Sequence, residues 1–93
     1  MSEIYRIFLT NEFSKRKRKL SKTDQSFVEK KLTEYVFPQL RRQPYYGANI
    51  RKLVKYDPAT WRYRTGRFRV FSLIEEQEKV VYVLTLEPRK SAY

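Results

Sequence analysis

The sequence predicts a single α+β domain spanning residues 1–93, with two N-terminal helices packed on one face of a small three- to four-stranded, mainly antiparallel sheet. Helical spacing of apolar residues is confined to the first half of the chain, and strand-like alternation follows residue 50. Because the two patterns are segregated, they favour an α+β arrangement over alternating strands and helices. A chain of 93 residues has the length of one domain.

The N-terminal region predicts a strand followed by a short helix. Residues 4–9 are mostly apolar and have the length of a strand. Thr10 or Asn11 can cap the helix that follows, because its side chain can accept a hydrogen bond from a free N–H of the first turn. Phe13 and Leu20 lie seven residues apart and predict the apolar face of this helix.

A second helix is predicted to begin within residues 21–24. Pro38 is expected to end or kink it near Phe37, because proline lacks an N–H and its ring clashes with the preceding turn. Residues 41–49 contain a proline and a glycine and are expected to form turns. The apolar residues at helical spacing in this second helix are Val28, Leu32, Tyr35 and Val36.

The second half of the chain predicts three or four strands joined by hairpins. The strongest alternation is in residues 61–65, where Arg62 and Arg64 fall on one face and aromatic residues on the other. We expect the two arginines to point away from the helices. The other predicted strands lie in residues 50–54, 68–74 and 79–86, the last ending before Pro88.

The composition favours a polyanionic partner and excludes several kinds of site. Lys and Arg total 21 against 10 Asp and Glu, which gives a net charge of +11. The absence of Cys and His excludes disulfides, thiolate or imidazole metal ligands, and catalysis by either side chain. We expect no cofactor and no metal. No apolar run is long enough to cross a membrane or to form a secretion signal, so a cytoplasmic protein is expected.

The basic residues form two concentrations along the chain. Five consecutive cations at residues 15–19 are either a solvated helix face or a phosphate-contacting one. Four arginines then occur within eight residues, and Arg is preferred where a planar fork holds a phosphate. Salt bridges to the glutamates at positions 75, 76, 78 and 87 are the alternative explanation for these arginines. The candidate RNA-binding residues are Lys15, Lys17, Lys19, Lys52, Lys55 and Arg67.

Residues 61–93 resemble the C-terminal half of the RelE/ParE superfamily toxins of prokaryotic toxin–antitoxin systems. The similarity consists of a basic-aromatic strand, a glycine turn, a second strand with an arginine between aromatic and apolar residues, an acidic hairpin and a Val-rich strand. A closing Arg-x-x-x-Tyr motif follows, here Arg89 to Tyr93. The N-terminal strand and two helices also fit, so the resemblance spans nearly the whole chain.

The resemblance implies a ribosome-dependent mRNA endonuclease of the RelE branch. Such an enzyme cleaves mRNA in the ribosomal A site by attack of a ribose 2′-OH on the adjacent phosphate. The positions that match the family's catalytic residues are Arg62, Arg64, Arg69, Arg89 and Tyr93. The family often has lysine at the first pair. Arginine rarely gives up its proton, so the general base stays open between Glu87, Tyr93 and a group of the ribosome.

Two other functions fit the same fold and charge. A ParE-type protein would poison DNA gyrase without cutting RNA, and a basic RNA-binding protein would need no catalytic residues. For a toxin we expect an acidic, RelB-like antitoxin that covers the basic surface, with operator DNA bound through the antitoxin. No membrane partner is expected.

Overall fold

The computed structural model describes residues 4–88, which form a helical layer packed against one sheet. The first strand and helix are β1 (Arg6–Leu9) and α1 (Asn11–Arg18). A long helical segment follows, made of α2 (Lys22–Lys31), a π-helical turn (Leu32–Val36) and α3 (Phe37–Arg42). The remaining strands are β2 (Ile50–Lys52), β3 (Trp61–Thr65), β4 (Phe68–Glu75) and β5 (Val80–Pro88).

The predicted α+β class is confirmed. Within residues 4–88 the sheet has five strands in the order β1-β5-β4-β3-β2, slightly more than the predicted three or four. Strands β2 to β5 are antiparallel to their neighbours, whereas β1 lies parallel to β5, with Arg6 opposite Val80. β1 and β2 lie at opposite edges of the sheet. The helix-rich segment between them provides the long connection that links these two edges.

The core lies between the helices and one face of the sheet. Phe13 of α1, Val28 and Leu32 of the long helical segment, and Val70 of β4 are all buried there. The chain enters α1 beside β5, because the Thr10 hydroxyl donates to the Leu84 carbonyl at 2.7 Å and also accepts from the Phe13 N–H at 3.1 Å. Thr10 therefore caps α1, as predicted. Between residues 4 and 88, no helix is both long and apolar enough to cross a membrane.

Of the two outcomes expected at Pro38, an end or a kink near Phe37, the helix does not end there, and its regular α-helical form is interrupted by the π-helical turn that precedes Phe37. The helical segment continues to Arg42 and accommodates Pro38 at the first turn of α3, where a missing N–H costs least. The preceding π-helical turn makes this possible, because the Phe37 N–H donates to the Leu32 carbonyl five residues earlier. The wider turn lets the chain pass the proline without ending the helix.

Smaller differences concern the ends of the strands. β1 begins at Arg6, because the N–H groups of Ile4 and Tyr5 donate to the Arg41 carbonyl at the end of α3. β2 ends at Lys52, two residues earlier than predicted, whereas β5 continues through Pro88. The register of β4 and β5 shifts at Phe71, which lies opposite Thr85 while the next residue lies opposite Val83. Leu84 is the extra residue of this β-bulge.

Gly66 in the β3–β4 turn is expected to resist substitution. Its φ is +56°, and an added Cβ would lie 2.5 Å from the Phe27 ring. Gly66→Ala should therefore lower the free energy of unfolding by about 1–3 kcal/mol, measured by urea denaturation. Gly47→Ala is the matched control, because its nearest contact would be 3.3 Å, to Ile50. Equal losses for the two variants would contradict this account.

Candidate functional site

Four arginines share the face of the sheet that is turned away from the helices. Arg51 of β2 lies opposite Arg62 of β3, and Arg64 of β3 lies opposite Arg69 of β4. Residues directly opposite in antiparallel strands point to the same side, and the two arginines of β3 are two residues apart, so all four side chains project together. We call this set (Arg51, Arg62, Arg64 and Arg69) the arginine face.

The pairing of Arg64 with Arg69 opposes two like charges across the sheet. Such pairs are unfavourable for folding. Glu87 of β5 lies opposite Arg69 on its other side, and its Oε1 is 3.4 Å from Arg69 Nη2. Because one carboxylate faces this concentration of guanidinium groups, the arginine face keeps a large positive charge that an anion can neutralise.

Arg69 lies in a restricted environment. It lies on the central strand of β3, β4 and β5, its side chain is 26% exposed, and its guanidinium lies 5.8 Å from the Phe71 ring centroid. Its Nε is buried and makes no hydrogen bond within residues 4–88. A buried donor without an acceptor costs free energy. A phosphate oxygen that accepts a hydrogen bond from the Arg69 Nε–H would offset this cost.

A cleft of about 570 Å³ opens over the arginine face. Arg62, Arg69 and Phe71 form part of its lining, Glu87 lies on the β5 side, and Tyr56 lies on the loop that follows β2. The cleft combines guanidinium groups with exposed ring surface. This combination can hold the phosphates and stack the bases of a single-stranded nucleic acid.

One carboxylate lines the β5 side of the cleft, and a second lies one hydrogen bond away from the lining. Glu87 faces Arg69, and Glu12 of α1 accepts a 3.3 Å hydrogen bond from the hydroxyl of Thr85, which lines the cleft. Glu12 also pairs with Arg16 at 3.0 Å. The involvement of Glu12 was not predicted, because nothing in the sequence places the start of α1 beside the bulge of β5.

The cation that β2 contributes to the arginine face is not the one predicted from the sequence to bind RNA. Lys52 lies opposite Trp61, on the helix side of the sheet, and its ammonium lies 5.8 Å from the Trp61 ring. Strand alternation places Arg51, which was not among the candidates, on the arginine face instead. Lys55 is exposed in the loop that borders the cleft and has a φ of 65°.

The remaining RNA-binding candidates lie apart from the arginine face. Lys15 is exposed on α1 and Lys19 is exposed directly after its last residue, whereas Lys17 pairs with Glu29 of α2. Arg67 bonds Asp24 at 2.7 Å, so the structure joins this arginine to α2 rather than to β4. Two of the catalytic candidates, Arg89 and Tyr93, lie outside the described residues.

The region bounded by residues 4 and 88 contains no group of three or more acidic residues placed to hold a metal ion. The cleft itself presents guanidinium groups, hydroxyls and the carboxylate of Glu87. Such a set can bind a phosphodiester and stabilise added charge on its phosphorus.

A separate polar cluster lies at the turn that joins β4 to β5, at the other end of these strands from Arg69 and Glu87. The hydroxyls of Tyr5 and Tyr45 each donate to Glu76 Oε1 at 2.7 Å, and Lys79 also donates to Glu76. These hydrogen bonds, that of Lys79 first, lower the pKa of the Glu76 carboxyl to about 2 from its ordinary 4.5. Burial and the adjacent carboxylate raise the pKa of both tyrosines.

This cluster predicts a loss of stability in acid. A carboxyl whose pKa is lowered by folding stabilises the fold fully above its ordinary pKa, and this contribution is lost as pH falls from about 4.5 towards 2. Glu76→Gln should reduce the dependence of the free energy of unfolding on pH in that window, measured by urea denaturation at a series of pH values. Glu78→Gln, an exposed change in the same turn, is the control. Identical pH profiles for the native chain and Glu76→Gln would contradict this role.

The fold is similar to solved structures of RelE toxins. The chain matches the archaeal RelE–RelB complex from Pyrococcus horikoshii with a TM-score of 0.70 and 25% identity, over 96% of this chain and 99% of that one. It matches the RelBE2 toxin–antitoxin complex from Mycobacterium tuberculosis with a TM-score of 0.71 and 22% identity, over 96% and 95%. The isolated RelE toxin of E. coli gives 0.65 and 22%, over 95% and 87%.

No protein-family model and no curated protein sequence matches the chain. The structural similarities nevertheless cover almost all of it, so the protein has a RelE-type toxin fold. The match to the archaeal RelE–RelB complex further supports a role as the toxin of a toxin–antitoxin pair.

Proposed function

We propose that this protein is a ribosome-dependent mRNA endonuclease and the toxin of a toxin–antitoxin system. The observation that carries the proposal is the arginine face, where four guanidinium groups share one side of the sheet beneath a cleft that the Glu87 carboxylate also lines. A plain RNA-binding surface needs positive charge but does not need opposed arginines on central strands. The RelE-type fold independently favours the same activity.

The proposed reaction is attack of a ribose 2′-OH on the neighbouring phosphorus. A bond forms between O2′ and phosphorus while the bond between phosphorus and O5′ breaks, leaving a cyclic phosphate and a 5′-OH. The 2′-OH loses its proton to a base, and the departing O5′ gains one. Negative charge builds on the non-bridging oxygens during this step, and preorganised cations are most effective at that point.

Each arginine of the catalytic set has a role in this proposal. Arg62 and Arg64 bind the phosphates as charged forks rather than as bases, because a guanidinium stays protonated. Arg69 is placed to stabilise the charge on the reacting phosphate. The resemblance assigns the same kind of role to Arg89 and a stacking or proton-transfer role to Tyr93.

The base is open among three groups. Glu87 borders the cleft but is engaged with Arg69, whereas Tyr93 and a group of the ribosome are the alternatives. An acidic antitoxin is the expected partner in the cell, because the net charge of +11 and the exposed arginine face favour an acidic covering segment. Two of the similar structures are complexes with RelB antitoxins.

The proposed function is tested by adding the purified chain to a reconstituted translation system. We expect amino-acid incorporation to stop while the supercoiling activity of DNA gyrase, assayed separately, is unaffected. Inhibition of gyrase with translation intact would instead support a ParE-type poison. If neither process is inhibited, the proposal of a toxin activity fails.

A further inference from the structure

A second groove lies between the β3–β4 hairpin and the long helical segment. Its volume is about 410 Å³, and Phe27, Lys31 and Tyr35 contribute to its helical wall. Tyr35 is 55% exposed and Phe27 is 37% exposed, so both rings remain accessible to solvent. We call this depression the tyrosine groove. The proposed cleavage chemistry makes no use of it.

Cations accompany the two rings of the tyrosine groove. The Lys31 ammonium lies 5.0 Å from the Tyr35 ring centroid and 5.6 Å from that of Phe27, within cation–π range of both. Arg64, whose side chain belongs to the arginine face, is the cation at the border between the two surfaces, and no acidic residue is among the described residues that form the groove. Accessible rings beside fixed cations suit a nucleotide, whose base stacks and whose phosphate is attracted.

The tyrosine groove is connected to the cleft over the arginine face. Arg62 lines both that cleft and a smaller depression of about 130 Å³ next to β2. Arg64 and Asn49 line both this smaller depression and the tyrosine groove. Neighbouring depressions therefore share their arginines, and positive charge continues around the edge strand β2 from one site to the other.

We propose that the tyrosine groove binds a nucleotide of the same single-stranded RNA whose phosphate occupies the cleft over the arginine face. The base stacks on the exposed side of Tyr35, and Lys31 and Arg64 attract the flanking phosphates. The inference rests on the proposed function, since it takes RNA as the substrate. It adds a specific contact outside the catalytic cleft and explains why an aromatic residue remains exposed on the helical side.

The test measures binding of two 2′-O-methylated, fluorescently labelled RNAs that cannot be cleaved, one a dinucleotide and one of about ten nucleotides. Tyr35→Ala in the full chain should weaken binding of the longer RNA about tenfold, the size expected from loss of one stacked base. Binding of the dinucleotide, whose one internucleotide phosphate occupies the cleft, should change much less. Tyr35→Phe, which keeps the ring, should bind the longer RNA as the native chain does.

Tyr46→Ala is the matched control, because Tyr46 is a 75% exposed tyrosine outside the groove. Equal binding of the longer RNA by Tyr35→Ala and the native chain would overturn the inference. The inference would also be overturned if Tyr35→Ala lost binding to polyglutamate but kept its binding to RNA, since the groove would then recognise an acidic protein segment. These binding assays do not depend on cleavage, so failure of the proposed endonuclease activity would be recognised separately in the translation system.

Discussion

Replacing Arg69 by alanine is expected to slow mRNA cleavage about 100- to 1000-fold, the usual effect of removing one preorganised group that stabilises transition-state charge. Arg69 occupies the central strand, is mostly buried, and has an Nε without a hydrogen bond in the described part of the chain. The rate is measured with a ribosome-bound mRNA at saturating protein, so that a loss of binding is separated from a loss of catalysis.

Two further variants test whether the loss of cleavage is specific to the Arg69 guanidinium. Arg69→Lys keeps the charge but loses the planar fork, so it should retain part of the activity and leave the fold intact. Arg42→Ala removes an exposed arginine at the end of α3 and should cleave at the native rate. An Arg69→Ala protein that folds and cleaves within about threefold of the native rate would contradict the assigned role.

Replacing Phe13 by alanine should lower the free energy of unfolding by about 3–5 kcal/mol. Phe13 is fully buried and fixes α1 against the sheet, directly after the Thr10 cap. Small domains have total stabilities of only about 5–15 kcal/mol, so this loss removes a large fraction of the stability of the fold. Urea denaturation followed by circular dichroism measures the loss.

Phe8→Ala deletes the same side chain at an exposed position and serves as the control. Phe8 is 56% exposed on β1 and packs edge-on against Tyr82. We expect a loss of about 1 kcal/mol for this variant. Similar losses for Phe8→Ala and Phe13→Ala would mean that α1 does not depend on the buried ring.

The class of fold was predictable because the two periodicities are well separated along the chain. Alternation in residues 61–65 correctly placed Arg62 and Arg64 on one face and Tyr63 in the core. The same rule, applied to β2, would have favoured Arg51 over Lys52. The short β2 has too few residues for its register to be read without its partner strand.

Features that depend on tertiary contacts were not predictable. Pro38 is a helix breaker by its local chemistry, and only the π-helical turn before it shows how the helix continues. The contact between Glu12 and Thr85 requires α1 to begin at the bulge of β5. Likewise, the tyrosine groove joins the long helical segment to the β3–β4 hairpin, which is distant in sequence, and no local pattern indicates that approach.

The most direct test of the central claim is to map the 5′ ends of an mRNA by primer extension in a cell-free translation system. With the purified protein added, we expect new 5′ ends inside codons that occupy the ribosomal A site, and none when ribosomes are omitted. Intact mRNA on translating ribosomes would contradict the endonuclease proposal and leave the arginine face as a binding surface alone.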